Sequence, residues 1–186
     1  MLVNWLRQRK TASGILLVLR LYLSYVWLTA GWHKLSSGDF DASGFLKGAI
    51  ANPVKGPEGA VVFGWYVDFL KHVALPNAHI FNTIIPLGEF LVGLGLLLGC
   101  LTTAAMFFGL LMNFSYLFAG TISSNPLDIL LGVIILFAGA NAGRVGLDGW
   151  IKPFIRKTVL KRKVKGNNQT VKDNQSVIDN KPVNLN

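Results

Sequence analysis

A chain of 186 residues that is 52% hydrophobic and only 15% charged is poorer in charge than the roughly 25% of an ordinary soluble domain. Its apolar residues gather in four long runs, which argues against a soluble domain and predicts an all-α, integral membrane four-helix bundle with a long extracytoplasmic loop between the first two spans. The net charge of +9 does not point to nucleic acid, because seven of the eighteen Lys and Arg stand between Lys152 and Lys165, where a positive-inside signal or contact with anionic lipid is expected.

In chain order, residues 1–12 carry Arg7, Arg9 and Lys10 and read as a basic cytoplasmic N-terminus. Residues 13–35 form the first span, interrupted only by Arg20, His33 and Lys34. This run exceeds a signal-peptide core and no A-x-A site follows, so the helix is expected to be retained. Residues 36–79 are the outer loop. Within it Ala42–Ala51 suits a short helix, and Gly59–Val73, with Trp65 and Tyr66, suits a helix lying on the membrane surface.

The stretch from Ile80 to Phe118 holds a single formal charge, Glu89. It is too long for one crossing and predicts a hairpin of two spans, 80–101 and 103–119, joined near Cys100–Thr103. Pro126 suits the first turn of a fourth span over 126–142. Trp150–Val164 reads as a basic amphipathic surface segment (151–165 of the domain layout), and Gly166–Asn186 as a disordered cytoplasmic tail. Lys and Arg concentrate at the two ends of the chain, which sets both termini in the cytoplasm of a multi-pass cell-membrane protein. Cys100 is the lone cysteine, so an intrachain disulfide or a CxxC relay is excluded. His33, His72 and His79 are scattered, and no metal site is expected.

An ionisable group inside a span is a functional-site candidate by default. Counting 1.5 Å per residue from the hairpin turn puts Glu89 and Asn113 at similar depth, near the middle of the bilayer. His33, Lys34, Asn82, Asn125 and Asp128 gather toward the outer end, and Arg20, Asn141, Arg144 and Asp148 toward the inner end. A mid-membrane carboxyl and amide suit a quinone, which needs hydrogen-bond donors and a route for two protons in an apolar pocket. Three readings of Glu89 stand side by side: a structural ion pair with Arg20, a redox or ligand role, or exposure to lipid. Arg144 and Asp148, four apart, read equally as a pair closing the fourth helix. Gly88, Gly95 and Gly99 share a face of the second span, and Gly132, Gly139 and Gly143 a face of the fourth, which favours close packing.

An arginine in the first span is followed by G-W-H-K-L (Gly31–Leu35), P-L-G-E-F-L-V-G-L-G-L-L-L-G (Pro86–Gly99), N-F-S-Y-L-F-A-G (Asn113–Gly120), S-N-P (Ser124–Pro126) and G-L-D (Gly146–Asp148). This order resembles the DoxX/DoxD family over about Leu16–Trp150, and its longer loop, S-N-P and G-L-D look most like the DoxD branch, the membrane subunit of thiosulfate:quinone oxidoreductase. The resemblance implies electron transfer from thiosulfate or a related reductant to membrane quinone, with Arg20, Lys34, Glu89, Asn113 and Asp148 at matching positions. It also implies a second small redox subunit. The expected site is thus Glu89, Arg20 and Asn113 as catalytic groups and His33, Lys34 and Asp128 around the substrate, with Arg144 and Asp148 at its edge. Quinone is the acceptor; membrane lipid, the small subunit and a second copy of the chain are the expected partners. A non-catalytic scaffold for a redox or detoxification complex and a small transporter are the alternatives.

Overall fold

The computed structural model describes residues 1–151, 153 and 154. Residues 1–148 form one unit and the remainder, from Gly149, another. Apart from Trp150, Ile151, Pro153 and Phe154, the basic segment expected over Trp150–Val164 and the tail Gly166–Asn186 lie outside the described residues.

The basic N-terminus is itself helical. α1 (Leu2–Gln8) ends where Arg9 adopts extended backbone, with φ −84° and ψ 137°, and α2 (Lys10–Ser37) begins at once. Asn141 holds this break from across the fold: its Nδ2 donates to the carbonyls of Leu6 at 2.7 Å and Arg9 at 3.0 Å. The Leu6 carbonyl is one of the acceptors that the end of α1 leaves open, while the Arg9 carbonyl also accepts the Ser13 N–H at the start of α2. The buried face of α2 carries Leu16, Arg20, Leu23, Ser24, Trp27 and Gly31, a spacing of three and four residues that makes one stripe.

α3 (Ala42–Ala51) starts at Asp41, whose carboxylate accepts from the Ser43 N–H and caps the helix. Gly59–Phe63 is a turn region rather than helix. α4 (Gly64–Phe69) follows and continues as a π-helical turn over Leu70–Ala74. α5 (Ala78–Leu98), α6 (Thr102–Phe118) and α7 (Asn125–Ala138, then a 3-10 turn over Gly139–Asn141) complete the unit.

α2 packs most extensively on α5 and α6 on α7; α5 also packs on α6, and α7 back on α2. They enclose a core of Leu16, Leu23, Trp27, Val92, Leu96, Met106, Leu110 and Ile135. A second cluster, built from Leu46, Tyr66, Leu70 and Ala74, lies under α3 and α4. The end bearing α3 and α4 is called the cap end below, and the end bearing α1 and residues 139–148 the base end.

Outward faces are apolar: Ile15, Val18 and Tyr25 on α2, Leu91 on α5, Phe107, Phe108 and Leu111 on α6, and Leu130 and Phe137 on α7 are exposed, while Arg20, Glu89, Asn113 and Asp128 are buried. Charge inside and hydrocarbon outside inverts the soluble pattern, and contiguous apolar surface of this kind marks contact with membrane or protein. α2 and α5 are each long and apolar enough to cross a membrane by length and composition.

Candidate functional site

The α2–α5 crossing sets the site. Gly31 lies against the backbone of Phe90, so closely that a Cβ there would strike the Phe90 nitrogen. One turn toward the base, Gly93 returns the contact, where a Cβ would come 2.6 Å from the Leu28 nitrogen. Such reciprocal glycines let two backbones approach as no other residue allows. The closest approach therefore uses Gly31 and Gly93, whereas Gly88 and Gly95 face Met112 and Ala105 of α6.

With this register, Lys34, three residues beyond Gly31, reaches Glu89. Its Nζ lies 2.5 Å from both Oε1 and Oε2. The Glu89 side chain is 3% exposed and that of Lys34 28%. Tyr116, from α6, donates its phenolic O–H to Glu89 Oε1 at 2.8 Å. Lys34 also sits 5.5 Å from the centre of the Phe40 ring, and Phe45 meets Tyr116 edge to face. Glu89 is thereby held by one cation and one phenol, joined by charge-assisted hydrogen bonds.

This corrects the structural alternative in which Arg20 neutralises Glu89. Arg20 lies eleven residues before Gly31, about 16 Å along the helix at 1.5 Å per residue. It is buried at the base end instead, where Nη1 donates to the Ala142 carbonyl at 3.0 Å and Nη2 to the Val145 carbonyl at 2.6 Å. Asp148 attracts it electrostatically.

Asp148 in turn caps α6. Its Oδ1 accepts from Leu101 N–H at 2.9 Å and its Oδ2 from Thr102 N–H at 3.0 Å. Leu101 stands at φ 50°, a left-handed conformation costly for a branched side chain, and Asp148 holds it there. Gly99 accepts from the Asp148 N–H at 2.7 Å and presents no side chain to Arg20. Arg20, Gly99, Leu101 and Asp148 thus make a clasp that joins α2, the α5–α6 turn and residues 142–148.

The expected helix-end pairing of Arg144 with Asp148 lacks its helix, since 142–146 are turns and bends; Arg144 is exposed. His33 is exposed. Asn113 is buried one turn toward the base from Tyr116, and its Nδ2 has no partner among the described residues. Asp128 is buried near the start of α7 and accepts from Ser124 Oγ at 2.8 Å through Oδ2. Tyr116 was not singled out as a site residue from sequence; its signal was the spacing of three from Asn113, which places both on one side of α6.

Beside Tyr116 opens a groove of about 690 Å³ between α5 and α6. Its floor includes Gly88, Gly95, Ala104 and Ala105, and its cap-end wall is Phe45, Tyr66, Phe69 and Leu70. From Phe81 to Leu98 it follows α5 for eighteen residues, about 25 Å. Its volume falls within the range of about 300–1,000 Å³ typical of small-molecule sites. Tyr116 and Ser115 contribute hydroxyls at one end, and Cys100 lies at the other.

A family model described as DoxX matches residues 15–121, more than half of the chain. The chain belongs to the DoxX family. The matched span holds Lys34, Glu89 and Tyr116 together with both walls of the groove. Comparison with curated proteins and with solved structures found no match. In this DoxX protein the buried carboxylate, its lysine and its tyrosine meet beside an apolar groove, an arrangement suited to placing a proton at the polar end of a long apolar molecule.

Proposed function

We propose that this DoxX protein is the membrane subunit of a quinone-reducing oxidoreductase of the DoxD type, which passes electrons from thiosulfate or a related reductant to membrane quinone. One observation carries the reading: the α5–α6 groove ends on Tyr116, and the Tyr116 hydroxyl is bonded to Glu89, which is paired with Lys34. An isoprenoid tail suits the apolar groove, and a ring carbonyl at its cap end would meet the Tyr116 hydroxyl.

The chemistry balances as two thiosulfates joining through a new S–S bond to give tetrathionate and two electrons, while quinone takes two electrons and two protons to become quinol. The donor binds with the partner subunit at the cap face, where the partly exposed Lys34 ammonium supplies positive charge. On this reading α2, α5, α6 and α7 all cross the membrane, both termini are cytoplasmic, and α3 and α4 lie outside. As quinone is reduced, Tyr116 turns its O–H toward one ring oxygen and gives up that proton, and the Lys34 ammonium makes good the loss through the Glu89 carboxylate. Water at the cap face reprotonates Lys34 and supplies the second proton to the other ring oxygen.

The test is quinol formation in proteoliposomes holding the protein with its copurified partner, a long-tailed quinone and thiosulfate. Tyr116→Phe keeps the ring against Phe45 and removes only the hydroxyl. Turnover should fall on the order of 100-fold, as for loss of a general acid, while quinone still binds. Unchanged turnover in a folded Tyr116→Phe protein excludes the catalytic reading and favours a scaffold.

A further inference from the structure

Three buried polar atoms lie in the helix core away from the groove: Trp27 Nε1 on α2, Asn113 Nδ2 on α6 and Asp128 Oδ1 on α7. Each is inaccessible and has no hydrogen-bond partner among the described residues, and their residues are 4%, 2% and 2% exposed. Leaving one such group unsatisfied costs about 1–3 kcal/mol, more when it is charged.

Helix register brings the three to neighbouring levels. A Cβ on Gly109 would lie 3.6 Å from Trp27 Cε2, the ring atom bonded to Nε1, and Asn113 follows Gly109 by one turn toward the cap. On α7, Gly132 faces Met106 and Leu110, and Asp128 precedes it by one turn toward the cap. All three groups therefore fall within about one to two turns of each other, between the Trp27 level and the level of Glu89 and Tyr116. Two are donors and one is an acceptor. A single protein side chain rarely serves both kinds, but water both donates and accepts, and buried water typically makes about three hydrogen bonds.

Toward the base, Leu16, Leu23, Leu96, Met106 and Ile135 are wholly buried, and Ser24, Arg20 and Thr102 are buried among them; Arg20 Nε and Thr102 Oγ1 also lack a hydrogen-bond partner among the described residues. Toward the cap lie Ser124, bonded to Asp128, and the partly exposed Lys34.

We propose that Trp27, Asn113 and Asp128 form a second polar site, separate from the groove, which holds water. Lying next to the level of Glu89, that water is a proton reservoir for it. The reservoir role rests on the redox reading above; the water site itself does not.

The experiment uses the full chain in nanodiscs, with indole nitrogens labelled and the Trp27 resonance assigned by Trp27→Phe. The probe is water. A magnetisation-exchange cross-peak between water and the Trp27 indole N–H is expected, and it should vanish in Asp128→Leu and in Asn113→Leu with the remaining indole resonances unmoved. Absence of the cross-peak in the unsubstituted protein overturns the site, and so does its persistence in both folded variants. If neither variant folds, the unsubstituted spectrum still decides. Quinone turnover is measured separately, so loss of the redox reading leaves the water result intact.

Discussion

Gly31 and Phe90 touch backbone to backbone, and that contact sets the register by which Lys34, one turn further on, meets Glu89. Any side chain at position 31 must push α2 away from α5. Gly31→Ala should cost at least the 1–3 kcal/mol of an overpacked core, and Gly31→Leu should prevent stable folding. Unfolding in mixed detergent micelles measures the first, and recovery of folded protein the second. A Gly31→Ala protein of full stability would show that the crossing can relax.

The two halves of the ion pair should respond unequally to removal. Glu89→Gln frees a Lys34 ammonium that is partly exposed and can swing its long stem to water. Lys34→Met instead leaves a carboxylate with almost no exposure and, among the described residues, only Tyr116 to hold it. Breaking a buried pair on its less accessible side costs about 3–5 kcal/mol. Lys34→Met should therefore destabilise more than Glu89→Gln, and the double variant should recover most of the Lys34→Met loss. Equal losses in the two single variants would count against this asymmetry.

Asp148 acts at a distance from the ion pair, through the start of α6. Asp148→Ala removes both acceptors for Leu101 and Thr102, and a lost cap costs about 0.5–2 kcal/mol. Asp148→Asn keeps one acceptor oxygen and should cost less. Neither should change quinone turnover per folded molecule. A selective loss of turnover in Asp148→Asn would place the clasp within the chemistry.

The α3 cap carries a pH dependence of known sign. The Ser43 N–H, together with Asn82, holds the Asp41 carboxyl below the usual Asp value, which is about 3.9 in the unfolded chain. A depressed folded value means that the capping contribution is fully present above pH of about 4 and is lost as pH falls through the folded value. Hydrogen exchange of the first-turn amides of α3 should accelerate, relative to intrinsic rates, only in that acid range. Asp41→Asn should abolish this dependence while keeping the cap.

The family and the all-α class were legible in the sequence because each rests on local information. Apolar runs, helix punctuation and short motifs such as P-L-G-E-F are written along the chain, and a single carboxyl in such a run marks itself. Depth counting also brought Glu89 and Asn113 to similar levels, since the rise per residue is constant. Partnership was not legible. Arg20 and Lys34 were both cations on the first long helix, and only the Gly31–Phe90 and Gly93–Leu28 contacts select Lys34 for Glu89 and send Arg20 to the carbonyls of residues 142 and 145. Asp148 looked like the end of a fourth helix, yet it holds the start of another, because a carboxylate caps whichever free N–H groups the tertiary fold delivers to it. The groove likewise belongs to no one segment: α5, α6 and the α3–α4 cap each supply a wall, and the space among them exists only once they have packed.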